Sequence, residues 1–110
     1  MAITNSSVTS SASAIYTSTG DNAVTTLIFC NTSAYVPATP TLNQSLLYVY
    51  AVPSGGTADN TTIIVNGLPI PAGETVSFDQ EKMVLSSGDA IWAKTDLLSN
   101  ITATISTLAV

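Results

Sequence analysis

Between Leu68 and Asp96 the chain reads LPIPAGETVSFDQEKMVLSSGDAIWAKTD, and a turn signal interrupts it every few residues. An amphipathic helix needs a longer uninterrupted apolar repeat at three- and four-residue spacing, and no segment of the chain shows one. The short runs alternate instead. In Glu74 to Phe78, Val76 and Phe78 share one face while Thr75 and Ser77 share the other, the two-residue period of a half-buried strand. Pro71-Ala72-Gly73 and Ser86-Ser87-Gly88-Asp89 supply turns, because proline presets φ and glycine tolerates the positive values a tight reversal demands. Lys82 to Leu85 and Ala90 to Thr95 read as further strands, the first reached through the polar link Asp79-Gln80-Glu81.

The rest of the chain follows the same grammar. Ile3 to Val8 and Ala12 to Thr17 are predicted as edge strands, with the Ser10 to Ser13 stretch read alternatively as part of an arm, within residues 1–20, that lies on a neighbouring subunit. Thr19 to Asn22 is a turn cluster. Val24 to Thr32 is β-branched and aromatic enough for a central strand. Asn31 to Gln44, with Pro37 and Pro40, is the longest loop, followed by a strand over Ser45 to Val52 and a glycine-rich loop over Pro53 to Asn60. Thr61 to Val65 is a strand, and Asn66-Gly67 predicts a tight hairpin turn after it, since both residues accept positive φ. Asn100 to Leu108 sets Ile101, Ala103 and Ile105 against Thr102, Thr104 and Ser106, a closing strand. Eight or nine short strands in 110 residues predict an all-β chain, a single-domain antiparallel β-sandwich of jelly-roll type spanning residues 1–110.

Charge narrows the partners. Charged residues make up 8% of the chain, against about 25% in an average protein. Asp and Glu number seven and Lys and Arg two, a net charge of −5. Nucleic acid is an unfavourable partner, because neutralising phosphates takes clustered Lys and Arg, and anionic membranes are disfavoured for the same reason. No apolar run approaches the length of a membrane span, and MAITNSSVTS has neither the basic nor the apolar region of a signal peptide, so synthesis in a cytoplasm without export by the usual route is expected.

The chain has no histidine and one cysteine, Cys30. Ser-His-Asp and Cys-His couples, histidine metal sites, thiolate zinc sites and intramolecular disulfides are therefore excluded by this sequence. Cys30 is expected as a small buried residue of the apolar strand Leu27 to Cys30. Ser54-Gly55-Gly56-Thr57 lacks the lysine and helix of a phosphate-cradling loop. Asp79 and Glu81, with Glu74 nearby, are weighed as a carboxylate pair but read as solvent-facing charge. Asp21, Asp59 and Asp89 sit in turns that supply oxygen ligands of the kind calcium uses, without EF-hand spacing. Trp92, Tyr16, Tyr35, Tyr48 and Tyr50 are the candidates for an aromatic platform, with Trp92 expected in the core. No catalytic, cofactor or metal residue is assigned, and an enzyme is the least favoured reading.

The segment Ser45 to Val52 is apolar on both faces, with Leu47, Val49 and Ala51 on one and Leu46, Tyr48, Tyr50 and Val52 on the other. One face enters the core. The other needs a cover, either from a partner subunit or from the same chain, so Leu46, Tyr48, Tyr50 and Val52, together with Tyr35 of the long loop, form the candidate protein–protein interface.

The strand Leu27-Ile28-Phe29-Cys30-Asn31-Thr32, the strand Tyr48 to Val52, Pro71 to Phe78, and Glu81 to Ile91 together resemble small virion structural proteins of tailed bacteriophages over roughly Val24 to Val110. The resemblance rests on turns and strand edges and supplies no site residues. It implies a β-sandwich built into the particle at the head, neck or tail. On that basis the chain is expected to be a virion component made in the host cytoplasm. The favoured role is a head decoration or cement protein that stabilises the capsid lattice through contacts with the major capsid protein or other virion proteins, as a homo-oligomer with a trimer preferred by analogy. A neck, tail or fibre-attachment component is the alternative within that class. A carbohydrate-binding or adhesion module, using Tyr35 to Gln44 and Pro53 to Asn60, is the alternative outside it.

Overall fold

A computed structural model describes residues 2–78, 83–96 and 98–110. Its strands are β1 (Ala2–Val8), β2 (Ser13–Thr17), β3 (Asn22–Asn31), β4 (Ser45–Val52), β5 (Ile63–Ile70), β6 (Thr75–Phe78), β7 (Met83–Leu85), β8 (Ala90–Thr95) and β9 (Ile101–Ala109). One sheet runs β1-β9-β3-β6 with β7 also on β3, the other β2-β8-β4-β5, and every pairing is antiparallel. β6 lies against Leu27 to Cys30 and β7 against Asn22 to Val24, both on the side of β3 away from β9, so they occupy one strand position in two pieces.

The pairs β1–β9, β2–β8, β3–β6/β7 and β4–β5 step inward along the chain to the loop of residues 53–62. The chain is one long antiparallel ribbon with that loop at its tip. Successive pairs fall in alternate sheets, and the contacts of β9 with β3 and of β8 with β4 close each sheet. A ribbon wrapped in this way is a jelly roll.

Alternation along the strands places the core. Val24, Leu27 and Phe29 of β3, Ile101, Ala103 and Ile105 of β9, and Leu47 and Val49 of β4 are buried between the sheets, joined by Ile91 and Ala93 of β8. Each large apolar side chain buried so fully contributes about 1.5–3 kcal/mol. Phe29 meets Phe78 with ring centroids 6.1 Å apart at 72°, the edge-to-face arrangement that aromatic quadrupoles favour.

One expectation changes. Asn66-Gly67 makes no hairpin turn. β5 passes straight through it with β4 as its partner throughout, and the register jumps from Tyr48↔Asn66 to Leu47↔Leu68. Gly67, at φ 78°, is the extra residue of a β-bulge, a second structure that demands positive φ at one position. The reversal lies upstream, in residues 53–62. Within the chain, the Ser10 to Ser13 stretch leads into β2, of which Ser13 is the first residue. Residues 9–12 carry the chain from the edge of one sheet to the edge of the other, where the Thr9 carbonyl accepts a hydrogen bond from Thr95 N at 2.9 Å. Asp79, Glu81 and Lys82 lie outside the described residues.

Candidate functional site

The register of β4 decides what its second face meets. Leu47, Val49 and Ala51 lie opposite Thr95, Ala93 and Ile91 on the core side, which leaves Tyr48, Tyr50 and Val52 beside Lys94, Trp92 and Ala90 on the outer side. From β5, Ile63 stands opposite Tyr50, Asn66 opposite Tyr48 and Pro69 opposite Leu46. The outer face of the four-stranded sheet therefore gathers Leu46, Tyr48, Tyr50, Val52 and Trp92 into one apolar and aromatic surface.

That surface has two halves. Tyr50 is 6% exposed, and Val52 and Ala90 are likewise buried, so the half towards the 53–62 loop is covered within the chain. Leu46, Tyr48 and Trp92 are half-buried and form the open half. Lys94, the only cationic side chain among the described residues, holds Nζ 5.0 Å from the centroid of the Tyr48 ring. Its charge is spent on the ring face and its aliphatic stem adds to the apolar area. Asp96 Oδ1 accepts a hydrogen bond from Leu46 N at 3.1 Å at the margin of the same face.

Of the predicted interface residues, Leu46, Tyr48, Tyr50 and Val52 come together and Tyr35 stands apart. Tyr35, 52% exposed, sits in the loop of residues 32–44 with its Cβ against Gly73 of the β5–β6 turn. Trp92 is the residue that sequence reasoning misplaced, since it lies on the outer face and not in the core cluster. The available signal was Lys94, two residues further along β8 and so on the same side as Trp92. Cys30 is corrected likewise. It is half-buried, because Leu27 and Phe29 take the core side of β3 and turn Ile28 and Cys30 outward.

The loop carrying Tyr35 is exposed throughout residues 34–42 and is tied by hydrogen bonds at its base. Asn31, fully buried, donates from Nδ2 to the carbonyls of Asn43 and Ile70, both at 2.9 Å, and accepts from Ser33 N at 3.0 Å. Asn100 donates to Ser33 Oγ and to the Asn43 carbonyl and accepts from the Ser45 hydroxyl. Successive turns, Thr39 N to Val36 O and Leu42 N to Thr39 O, shape the protruding part.

The turn acids serve their own turns. Asp59 accepts from the hydroxyls of Thr57 and Thr61 and from Thr61 N, which lowers its pKa below the ordinary aspartate value, the Thr57 hydroxyl contributing most. Asp89 accepts from Ser86 N and Ser54 N, both at 2.9 Å. Among the described residues no three His, Cys, Asp or Glu side chains gather as a metal-binding group. An apolar cleft of about 330 Å³ opens between the sheets where β5 faces β6 and β7, lined by Leu27, Val49, Ile64, Val65, Phe78 and Met83.

No protein-family model, no curated protein sequence and no solved structure matches the chain.

Proposed function

We propose that this chain is a structural subunit of a bacteriophage virion, a head decoration or cement protein that works by protein–protein contact and not by catalysis. The observation that carries the reading is the open half of the outer face, where Leu46, Tyr48 and Trp92 present half-buried aromatic and aliphatic area with its one cation folded onto a ring. Aromatic residues at the centre of a patch depleted in charge are the composition of interface cores. Jelly rolls serve viral capsids and lectins alike, so the architecture supports the class by analogy only. Cementing follows from mass action: a subunit that binds the assembled lattice and not its dissociated parts stabilises the lattice.

The test is the copy number of this chain in purified particles, by quantitative mass spectrometry against the major capsid protein. A count on the order of hundreds, matching the repeats of a capsid lattice, supports decoration. A ring-sized count moves the chain to the neck, tail or fibres, and absence from the particle overturns the reading. Tyr48→Lys, which sets a second cation beside Lys94, is the interface variant of choice, because the burial of Tyr50 makes any substitution there a change to the fold.

A second reading, an adhesion module, draws on the exposed and anchored loop of residues 34–42 with Tyr35 at its surface. Saturable binding on a glycan array, abolished by Tyr35→Ala, would favour it over the first.

A further inference from the structure

The two sheets end in edges of unequal quality. β2 is five residues long and carries a bulge between Ala14 and Tyr16. β5 carries two register shifts and Pro69. β6 and β7 are four and three residues long. Shortness, bulges and proline are the devices by which native sheets prevent further pairing at an edge. β1 has none of them. Its seven residues, AITNSSV, pair with β9 one to one from Ala2↔Thr107 to Val8↔Ile101 without a shift, and contain no proline and no charge. Among the described residues, its backbone makes no hydrogen bond other than those to β9.

We infer that β1 pairs antiparallel with β1 of a second copy of this chain, joining two five-stranded sheets across a two-fold axis. The register that pairs all seven residues places Asn5 opposite Asn5, with Ile3 opposite Ser7 and Thr4 opposite Ser6. It keeps each side chain on the face it already occupies, because residues directly opposite in a sheet point the same way. Charge selects the occupant. A two-fold contact sets every residue near its own counterpart, so a charged edge repels itself. β1 is neutral in a chain of net charge −5, and its neutrality suits a second copy while offering nothing to attract a charged strand. Asn5 Oδ1 already accepts from Thr104 Oγ1 at 3.0 Å, which leaves its Nδ2 to donate across the axis. Pairing also covers part of Ile3, 70% exposed in the single chain. This contact is separate from the Tyr48 face, so each subunit has two association surfaces, whichever particle it occupies.

Oxidative crosslinking tests the register. In a Cys30→Ser background, Asn5→Cys places two thiols on the axis at a Cα separation of about 4.5–5.5 Å, within disulfide reach, and a crosslinked dimer is expected on mild oxidation. Asn5→Lys sets like charges face to face and is expected to halve the sedimenting mass with the circular dichroism spectrum unchanged. A monomeric wild-type chain in sedimentation equilibrium, or an associated Asn5→Cys chain that stays uncrosslinked, overturns the inference. Crosslinking of Asn5→Cys only to an added capsid protein overturns it too, by showing that a strand of different origin takes the edge. An Asn5→Cys crosslink that survives in the Tyr48→Lys variant supports the inference, by showing that this contact forms without the outer face.

Discussion

Gly88 lies so close to Ser54 that a Cβ built on it would stand 2.6 Å from the Ser54 hydroxyl oxygen and 3.0 Å from the Ser54 Cβ. The β7–β8 turn is pressed onto the tip of the ribbon there, and Asp89 secures the contact by accepting from Ser54 N.

Gly88→Ala should therefore cost about 2–3 kcal/mol, part from a φ of 91° that L-residues avoid and part from overpacking against Ser54. Urea denaturation measures the total. The double variant Gly88→Ala/Ser54→Gly should recover the overpacking part and leave the backbone part, which separates the two.

Asn31→Ala should destabilise the chain by about 2–3 kcal/mol, because the buried carbonyl of Ile70 and the amide of Ser33 lose their partner. The Asn43 carbonyl keeps its bond from Asn100. Hydrogen exchange should show the amides of Thr39 and Leu42 opening far faster than those of β4, since the base of the loop is cut while its sheet survives.

Asp59 should titrate below the ordinary aspartate value in a carboxyl carbon NMR titration, and Thr57→Val should move its midpoint upward, because the Thr57 hydroxyl is the largest cause of the shift. The sign sets the pH window. A carboxylate held low stabilises the folded loop fully above the unfolded aspartate pKa, and that contribution is lost as pH falls through the folded value. Lower protection of the Thr61 and Thr62 amides in acid, relative to their intrinsic exchange rates and absent in Asp59→Asn, checks it.

Most of the fold was legible because alternation is a local signal. Ser45–Val52 and Ala90–Thr95 have the bounds their own patterns predict, and β9 differs by one residue at each end. Asn66-Gly67 was misleading for a definite reason: the dipeptide reports a need for positive φ, and both a tight turn and a bulge have that need. Only the partner strand decides between them, and β4 lies on both sides of the pair. The outer face of the four-stranded sheet was half legible. Periodicity grouped Leu46, Tyr48, Tyr50 and Val52, but which of them stay open depends on Trp92 and Ile63, brought alongside by strands distant in sequence. Tyr35 could not be placed by period at all, because a loop has none.

The ribbon also orders events in time. Its tip, residues 53–62, joins β4 and β5, the hydrogen-bonded strands nearest each other in sequence, and among the pairings loop closure is cheapest there. Each later pair must bridge a wider gap, up to Asn5 and Thr104 at the far end, and contacts so distant in sequence slow folding. Loop-closure entropy thus favours a jelly roll that zips outward from its middle. β1, the strand that leaves the ribosome ahead of the others, has to wait for β9, and its free edge becomes a defined surface only when every other strand is in place.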